Sequence, residues 1–239
     1  MSECMVPVDE RSTSDHVGTA PTGTRVAAFF DVDNTLLPGA ASEVRFFRHL
    51  WAARIVGWRE LTASAAHLLR HMPPISYHPL RLRKVYLIGK LPSTIERCAE
   101  SFTRDQLIPA LSRQALEQVD HHRRSGHELV LVTGSLDCLM APLARFLGVD
   151  TVIAATPARD AQGYTGELIP PLPYGPGKRH HIEALAQARG IDLRASYAYG
   201  DSPGDVGLLD AVGYPRVVNP IRGMARIAAA RRWPVSRWD

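Results

Sequence analysis

The 239-residue chain has little cysteine. Its three residues, Cys4, Cys98 and Cys138, have neither metal-ligand spacing nor an even pairing. That excludes a disulfide framework and a thiolate zinc site, and it points to free thiols in a reducing compartment. No run of about 18 apolar residues occurs, so no membrane-spanning helix is expected. The first residues are acidic and polar and lack the apolar stretch of a secretory signal. A cytoplasmic location is therefore the expectation. Internal repeats are absent. Excess charge is slight: the formal net charge is +4. Arg222, Arg226, Arg231, Arg232 and Arg237 carry much of it late in the chain, without the interleaved aromatics of nucleic-acid modules. They read as a solvated basic helix face, and no nucleic-acid partner is expected. Nothing in the sequence speaks to oligomeric state.

What the chain does have is length and apolar content. Its 45% hydrophobic residues are enough to bury a full core without staples. Residues 1–24 are rich in Ser, Thr, Gly and Pro and read as a flexible tail. Val26–Phe30 is a short apolar run that ends abruptly in polar residues, which predicts a buried strand. From about Ala40 to Gly126 the spacing is helical, with segments near Ser42–Trp58, Glu60–His71, Leu80–Leu87, Pro92–Ser101 and Arg104–Ser125. Strand and helix then alternate. Strands are predicted at Glu128–Val132, Thr151–Ala155, Ser196–Tyr199 and Arg216–Val218. Helices are predicted at about Leu136–Leu147, Lys178–Arg189 and Ser202–Val212, and a hairpin near Gly163. This order predicts an α/β fold, a doubly wound parallel sheet with a helical insertion after the first strand. The domains expected are the tail at 1–24, the α/β core at 25–39 and 127–239, and a helical cap at 40–126.

Open parallel sheets bind ligands beyond the carboxyl ends of their strands. Three predicted strands end in Asp31 and Asp33, in Thr133 and Gly134, and in Gly200 and Asp201, with Asp205 four residues further on. Carboxylates gathered in one pocket are costly unless a cation sits among them, and a hard dication such as Mg²⁺ fits oxygen ligands. One carboxylate could then attack phosphorus while a second moves protons. Thr133, Gly134 and Lys178 could meet the phosphoryl oxygens.

Phe30-Asp31-Val32-Asp33-Asn34-Thr35 resembles the first motif, D-x-D-x-T, of the haloacid dehalogenase superfamily. Val132-Thr133-Gly134, Lys178 and Gly200-Asp201-Ser202-Pro203-Gly204-Asp205 resemble its second, third and fourth motifs, in the right order. The helical insertion is similar to the cap of the phosphoserine-phosphatase-like branch. The resemblance implies a Rossmann-like core and a phosphatase acting on a small phosphorylated metabolite. It implies Asp31 as nucleophile and Asp33 as general acid/base. Asp31, the Asp33 main-chain carbonyl and Asp201 would hold Mg²⁺, with Asp205 in support. Asn34, Thr133, Gly134 and Lys178 would meet the phosphate. In the cap, Glu43, Arg83 and Lys84 are the candidate substrate contacts. The chain departs from true phosphoserine phosphatases at Ala40, where they carry glutamate, and at Lys84, where they carry arginine. Lysine cannot supply a bidentate fork, so phosphoserine is not implied as the substrate.

Other readings of the same residues fare worse or remain open. A calcium loop starting at Asp31 would need Gly and Glu where Leu36 and Ser42 stand, and a P-loop ending at Lys178 would need Gly where Leu172 stands. The adjacent pairs His121-His122 and His180-His181 read as surface positions. Transfer of the phosphoryl group to an alcohol, action on a lipid phosphate at a membrane surface, and a non-catalytic binding role remain as alternatives.

Overall fold

The computed structural model describes residues 25–39, 41–71 and 83–238, except for the side chains of Leu68 and His71. The tail expected over 1–24, Ala40 and the first three residues of the predicted Leu80–Leu87 helix lie outside them.

The first strand, β1 (Ala27–Phe30), is apolar throughout and buried throughout. A strand covered on both faces has no reason to alternate polar and apolar residues. Two helices follow, α1 (Ser42–Ala52) and α2 (Trp58–His71). The reading of one helix to Trp58 is corrected. The chain leaves the helix after Ala52, turns left-handed at Arg54, and restarts at Trp58. A short 3₁₀ turn at Val85–Leu87 leads to α3 (Pro92–Phe102), which places proline at its start. The predicted Arg104–Ser125 helix is broken. A π turn at Thr103–Leu107 and a 3₁₀ turn at Ile108–Ala110 precede α4 (Arg113–Arg124). Pro109 has no N–H to continue the ladder, and the Ser112 hydroxyl accepts from Ala115 N to cap the new helix.

The strands β2 (Glu128–Leu136) and β3 (Thr151–Ala155) flank α5 (Asp137–Leu147). An antiparallel hairpin follows, β4 (Pro157–Asp160) with β5 (Gly163–Leu168). Then come α6 (Pro176–Arg189), β6 (Tyr197–Gly200), α7 (Val206–Asp210), β7 (Tyr214–Val218), α8 (Met224–Arg231) and β8 (Val235–Ser236). The parallel sheet has the order β3-β2-β1-β6-β7-β8. The predicted fold class is therefore observed, and β8 is an edge strand that no sequence pattern announced.

Alternate residues of β1 serve opposite cores. Ala28 and Phe30 face Phe46, Leu50, Ile95, Phe102, Val119 and Leu143, from α1, α3, α4 and α5. Ala27 and Phe29 face Ile182, Leu208, Leu209 and Met224, from α6, α7 and α8. Burial of such side chains stabilises by about 1.5–3 kcal/mol each. It also fixes β1 rigidly, and with it the loop that begins at Asp31. The segment before α3 is sewn to the hairpin: Lys84 N donates to the Gly166 carbonyl (2.6 Å), and Gly89 N to that of Tyr164 (2.8 Å).

One expectation fails on the sheet. His122 is buried at 1% exposure, not on the surface. It packs edge-on to Phe30, and its ring nitrogens meet the Tyr199 hydroxyl at 2.7 Å and His127 at 2.8 Å. The face of α4 that carries Ala115 and Val119 turns inward, and His122 follows three residues after Val119 on that face. Its adjacent partner His121 faces elsewhere. Burial, with the neighbouring charges of His127 and His121, lowers the His122 pKa to about 4.

Candidate active site

All of the residues singled out from sequence line one cleft of about 550 Å³: Asp31, Asp33, Asn34, Glu43, Arg83, Lys84, Thr133, Gly134, Lys178, Asp201 and Asp205. Three strand ends, those of β1, β2 and β6, the start of α6 and the α1–α3 region bring them together.

Asp31 follows β1 directly and is buried, as is Lys178. The Lys178 Nζ lies 2.5 Å from Asp31 Oδ1 and 2.6 Å from Asp205 Oδ1. Lys178 sits in the first turn of α6, where the helix dipole disfavours a cation. The two carboxylates compensate. Local chemistry puts it there. Gly175 has φ 54°, Pro176 opens the helix, and a Cβ on Gly177 would collide with the Leu172 carbonyl.

Asp205 is pinned from the other side. Its Oδ2 accepts from Ser202 N (3.0 Å), Ser202 Oγ (2.9 Å) and Asp201 N (3.3 Å). A Cβ on Gly200 would lie 2.6 Å from the Asp205 Cβ, so the strand must end in glycine for the two to approach. Asp201 Oδ2 accepts from Asn34 Nδ2 at 3.0 Å.

Ligand oxygens of Asp31, Asp201 and Asp205 lie within 4.8 Å of one another. Three buried carboxylates share a single ammonium, and their proton affinities record the strain. Burial pushes the Asp31 carboxyl well up, Lys178 opposes it, and Asp205 and Asp201 add to it. Burial pushes Asp201 up to about 7, against the Asn34 hydrogen bond and with help from Asp205. Asp205 differs. Burial works against its ionisation, but the charge and hydrogen bond of Lys178, with the Ser202 donors, outweigh that and lower its pKa. Burial also opposes the Lys178 ammonium, yet Asp205 and Asp31 hold its pKa above the ordinary lysine value. An excess of buried negative charge on hard oxygen donors fits a divalent cation such as Mg²⁺. Asp205 already accepts from Lys178, from Ser202 twice and from the Asp201 amide, more donors than meet Asp31 or Asp201, which makes those two the better placed ligands.

Asp33 is half-buried and held twice. Ser42 N donates to Oδ1 and Ser135 Oγ to Oδ2, both at 2.6 Å. The Ser42 and Ser135 hydroxyls are 2.9 Å apart. Since Ser135 spends its proton on Asp33, Ser42 donates to Ser135. Ser42 starts α1, so the carboxylate is tied to the insertion as well as to the core. Thr133 is buried, and its Oγ1 accepts from Ser135 N at 3.2 Å. The β2–β3 register shifts between Val132 and Leu136, and Thr133, Gly134 and Ser135 fall within that irregularity.

Asn34 reaches the cleft, but both of its amide hydrogens are in use, on Asp201 and on the Asn219 carbonyl (2.9 Å). In this geometry it offers no free donor to a phosphate and instead orients Asp201. Across the cleft, buried Lys84 pairs with Glu43 at 2.6 Å, and the Tyr86 hydroxyl donates to the other Glu43 oxygen at 2.9 Å. Arg83 is exposed at the cleft wall. Sequence reasoning missed Ser42, Ser135, Tyr86 and Asn219. Asn219 was within its reach, since it too follows directly on a strand end.

A family model, that of the haloacid dehalogenase-like hydrolases, matches residues 28–210. The chain belongs to this family of hydrolases. Among curated proteins, it is 30% identical over 223 residues to a Mycobacterium tuberculosis protein named "Probable phosphatase", covering 91% of this chain and 77% of that one. It is 30% identical over 222 residues to a phosphoserine phosphatase of the same organism, covering 90% and 71%. Among solved structures, a Bordetella pertussis protein of unknown function superposes with a TM-score of 0.76 at 30% identity, covering 89% of this chain and 98% of that one. A phosphoserine phosphatase trapped as a phospho-aspartyl analogue shares the fold, with a TM-score of 0.60 at 16% identity and coverage of 89% and 93%. Among the described residues, no helix is long and apolar enough to cross a membrane.

Proposed function

We propose that this chain, a phosphatase of the haloacid dehalogenase type, hydrolyses the phosphate monoester of a small metabolite through Asp31. One observation carries the reading: Asp31 lies buried at a strand end, held by Lys178, with Asp201 and Asp205 oxygens close enough to it to share a cation. Mg²⁺ would be held by Asp31, the Asp33 carbonyl and Asp201, with Asp205 behind them. When bound, it supplies the positive charge that lets an anionic ester approach a carboxylate.

The residues of the chain do the rest. An Asp31 carboxylate oxygen attacks phosphorus, and the bond to the ester oxygen breaks. Asp33 gives its proton to that leaving oxygen, then takes one from the water that hydrolyses the aspartyl-phosphate. The Ser135 and Ser42 donors fix the direction in which Asp33 works. Lys178, the Thr133 hydroxyl and the Gly134 N–H hold the equatorial oxygens as charge builds. Asn34 serves by orienting Asp201.

The cleft is of a size for a small molecule. Residues 40–126 serve as its cap, with the β4–β5 hairpin closing one side, and they choose the substrate. Glu43 and Lys84 neutralise each other there, so the substrate body meets a neutral hydrogen-bonding wall with Arg83 at its edge. The test is a screen of phosphorylated metabolites with Mg²⁺, wild type against Asp31→Asn. Release of phosphate by the wild type alone supports the reading, and equal release by both proteins removes it.

A further inference from the structure

Asn219 directly follows β7 and joins three segments of chain. Its side-chain amide donates to the Asn34 carbonyl and to the Trp238 carbonyl, each at 3.0 Å, and its Oδ1 accepts from Trp238 N at 2.9 Å. Its own carbonyl accepts from Asn34 Nδ2. The two asparagines therefore exchange hydrogen bonds in both directions. Flipping the amide of Asn34 would set its oxygen against a carbonyl and a carboxylate, so the orientation is fixed by chemistry. Both residues adopt left-handed backbone, φ 60° at Asn34 and 44° at Asn219, which asparagine tolerates better than most residues. Trp238 is buried, and its ring lies 5.5 Å from that of Tyr199, two residues before Asp201. Asn219 N donates to the Ser236 carbonyl, which fastens the β8 segment to the same point.

We infer that Asn219, braced by Trp238, is a positioning residue: it fixes Asn34, and Asn34 fixes the Asp201 carboxylate for the cation. This rests on the reading of Asp201 as a metal ligand. The route is short and continuous, from Trp238 backbone to Asn219 side chain, to Asn34, to Asp201 Oδ2. A ligand carboxylate held by such an outer partner does not have to be ordered when metal arrives. Partners of this kind change metal affinity by about 10–100-fold when removed.

The test uses Asn219→Gly and Asn34→Gly, which keep left-handed backbone free of strain, and the double variant. Mg²⁺ alone is titrated by calorimetry without substrate, and melting is followed without Mg²⁺. Each single change weakens Mg²⁺ binding by about tenfold. The double variant is no weaker than Asn34→Gly, because both changes cut one chain of contacts. Lost activity returns as Mg²⁺ is raised. If Asn219→Gly does not fold, Asn219→Ser, which cannot span both partners, carries the same expectation. Wild-type Mg²⁺ affinity in the Asn219 variant with a lowered melting temperature makes the residue a structural staple and overturns the inference, as do losses that multiply in the double variant. A wild type that binds no Mg²⁺ overturns both this inference and the metal reading. A wild type that binds Mg²⁺ and shows the coupling, yet releases phosphate from no ester, leaves the inference standing and removes the phosphatase proposal.

Discussion

Lys178→Met tests how the buried charges are balanced. Methionine keeps most of the length and volume of lysine but removes both contacts of the ammonium, 2.5 Å to Asp31 and 2.6 Å to Asp205. All three groups are buried, at 2–6% exposure. Breaking a buried pair costs about 3–5 kcal/mol, because the remaining charge loses its partner without regaining water. For a domain of this size that corresponds to a fall in Tm of about 6–20 °C without metal. Mg²⁺ at 100 times its Kd adds about 2.7 kcal/mol to a protein that binds it. The variant site is more negative than the wild-type site, so it binds Mg²⁺ more tightly, and added Mg²⁺ raises the Tm of the variant by more than that of the wild type. Phosphate release falls all the same, since the phosphoryl oxygens lose Lys178. Differential scanning fluorimetry with and without Mg²⁺, beside a phosphate-release assay, reads all of this. A variant that melts within 2 °C of the wild type (~1 kcal/mol or less), or that gains no more from Mg²⁺, would refute the charge argument.

Three further outcomes follow from the same geometry. Asp33→Asn should lower kcat by about 10²–10⁴-fold with little change in Mg²⁺ affinity measured by calorimetry, because it removes a proton carrier; an unchanged kcat removes Asp33 from that role. Gly200→Ala should weaken both folding and Mg²⁺ binding, since the added methyl must displace the Asp205 side chain, 2.6 Å away; chemical denaturation with the same calorimetry checks it, and wild-type values would show that Asp205 has room to move. His122 supplies the pH dependence. Its folded pKa of about 4 lies below the ordinary 6.5, so the unfolded chain binds the proton first as pH falls. Its contribution is therefore whole above about pH 6.5 and is lost on the way down to pH 4, by at most about 2 kcal/mol between pH 7.5 and 5. Urea unfolding of the wild type minus His122→Gln isolates this from Asp31 and Asp201, whose raised values act in the opposite sense, and from Asp205, whose lowered value acts in the same sense; a difference independent of pH would contradict it.

Much of the architecture was legible because β1 and the strands after it are short apolar runs with abrupt polar ends. The same rule that located Asp31, Thr133 and Asp201 would have located Asn219, had it been carried to the last strand. Other features left no mark of their own. His122 looks like half of a surface pair until α4 is seen to turn that face onto Phe30. The break before Arg113 depends on Pro109 and on a serine that caps a helix, and neither disturbs the apolar spacing. Ser42 and Ser135 are ordinary serines in sequence. Their hold on Asp33 exists only because the insertion and β2 meet there, a contact between residues 93 positions apart. The Glu43–Lys84 pair likewise required the fold, since it joins residues 41 positions apart at the cleft.

The central claim is a covalent bond between phosphorus and Asp31. A ³²P-labelled monoester accepted in the screen can be mixed with enzyme and Mg²⁺, quenched in acid within a turnover, and the protein digested and mapped. The account predicts label on the peptide that contains Asp31, released by hydroxylamine and absent from Asp31→Asn. Turnover with no label on that peptide, or label on another residue, would contradict it.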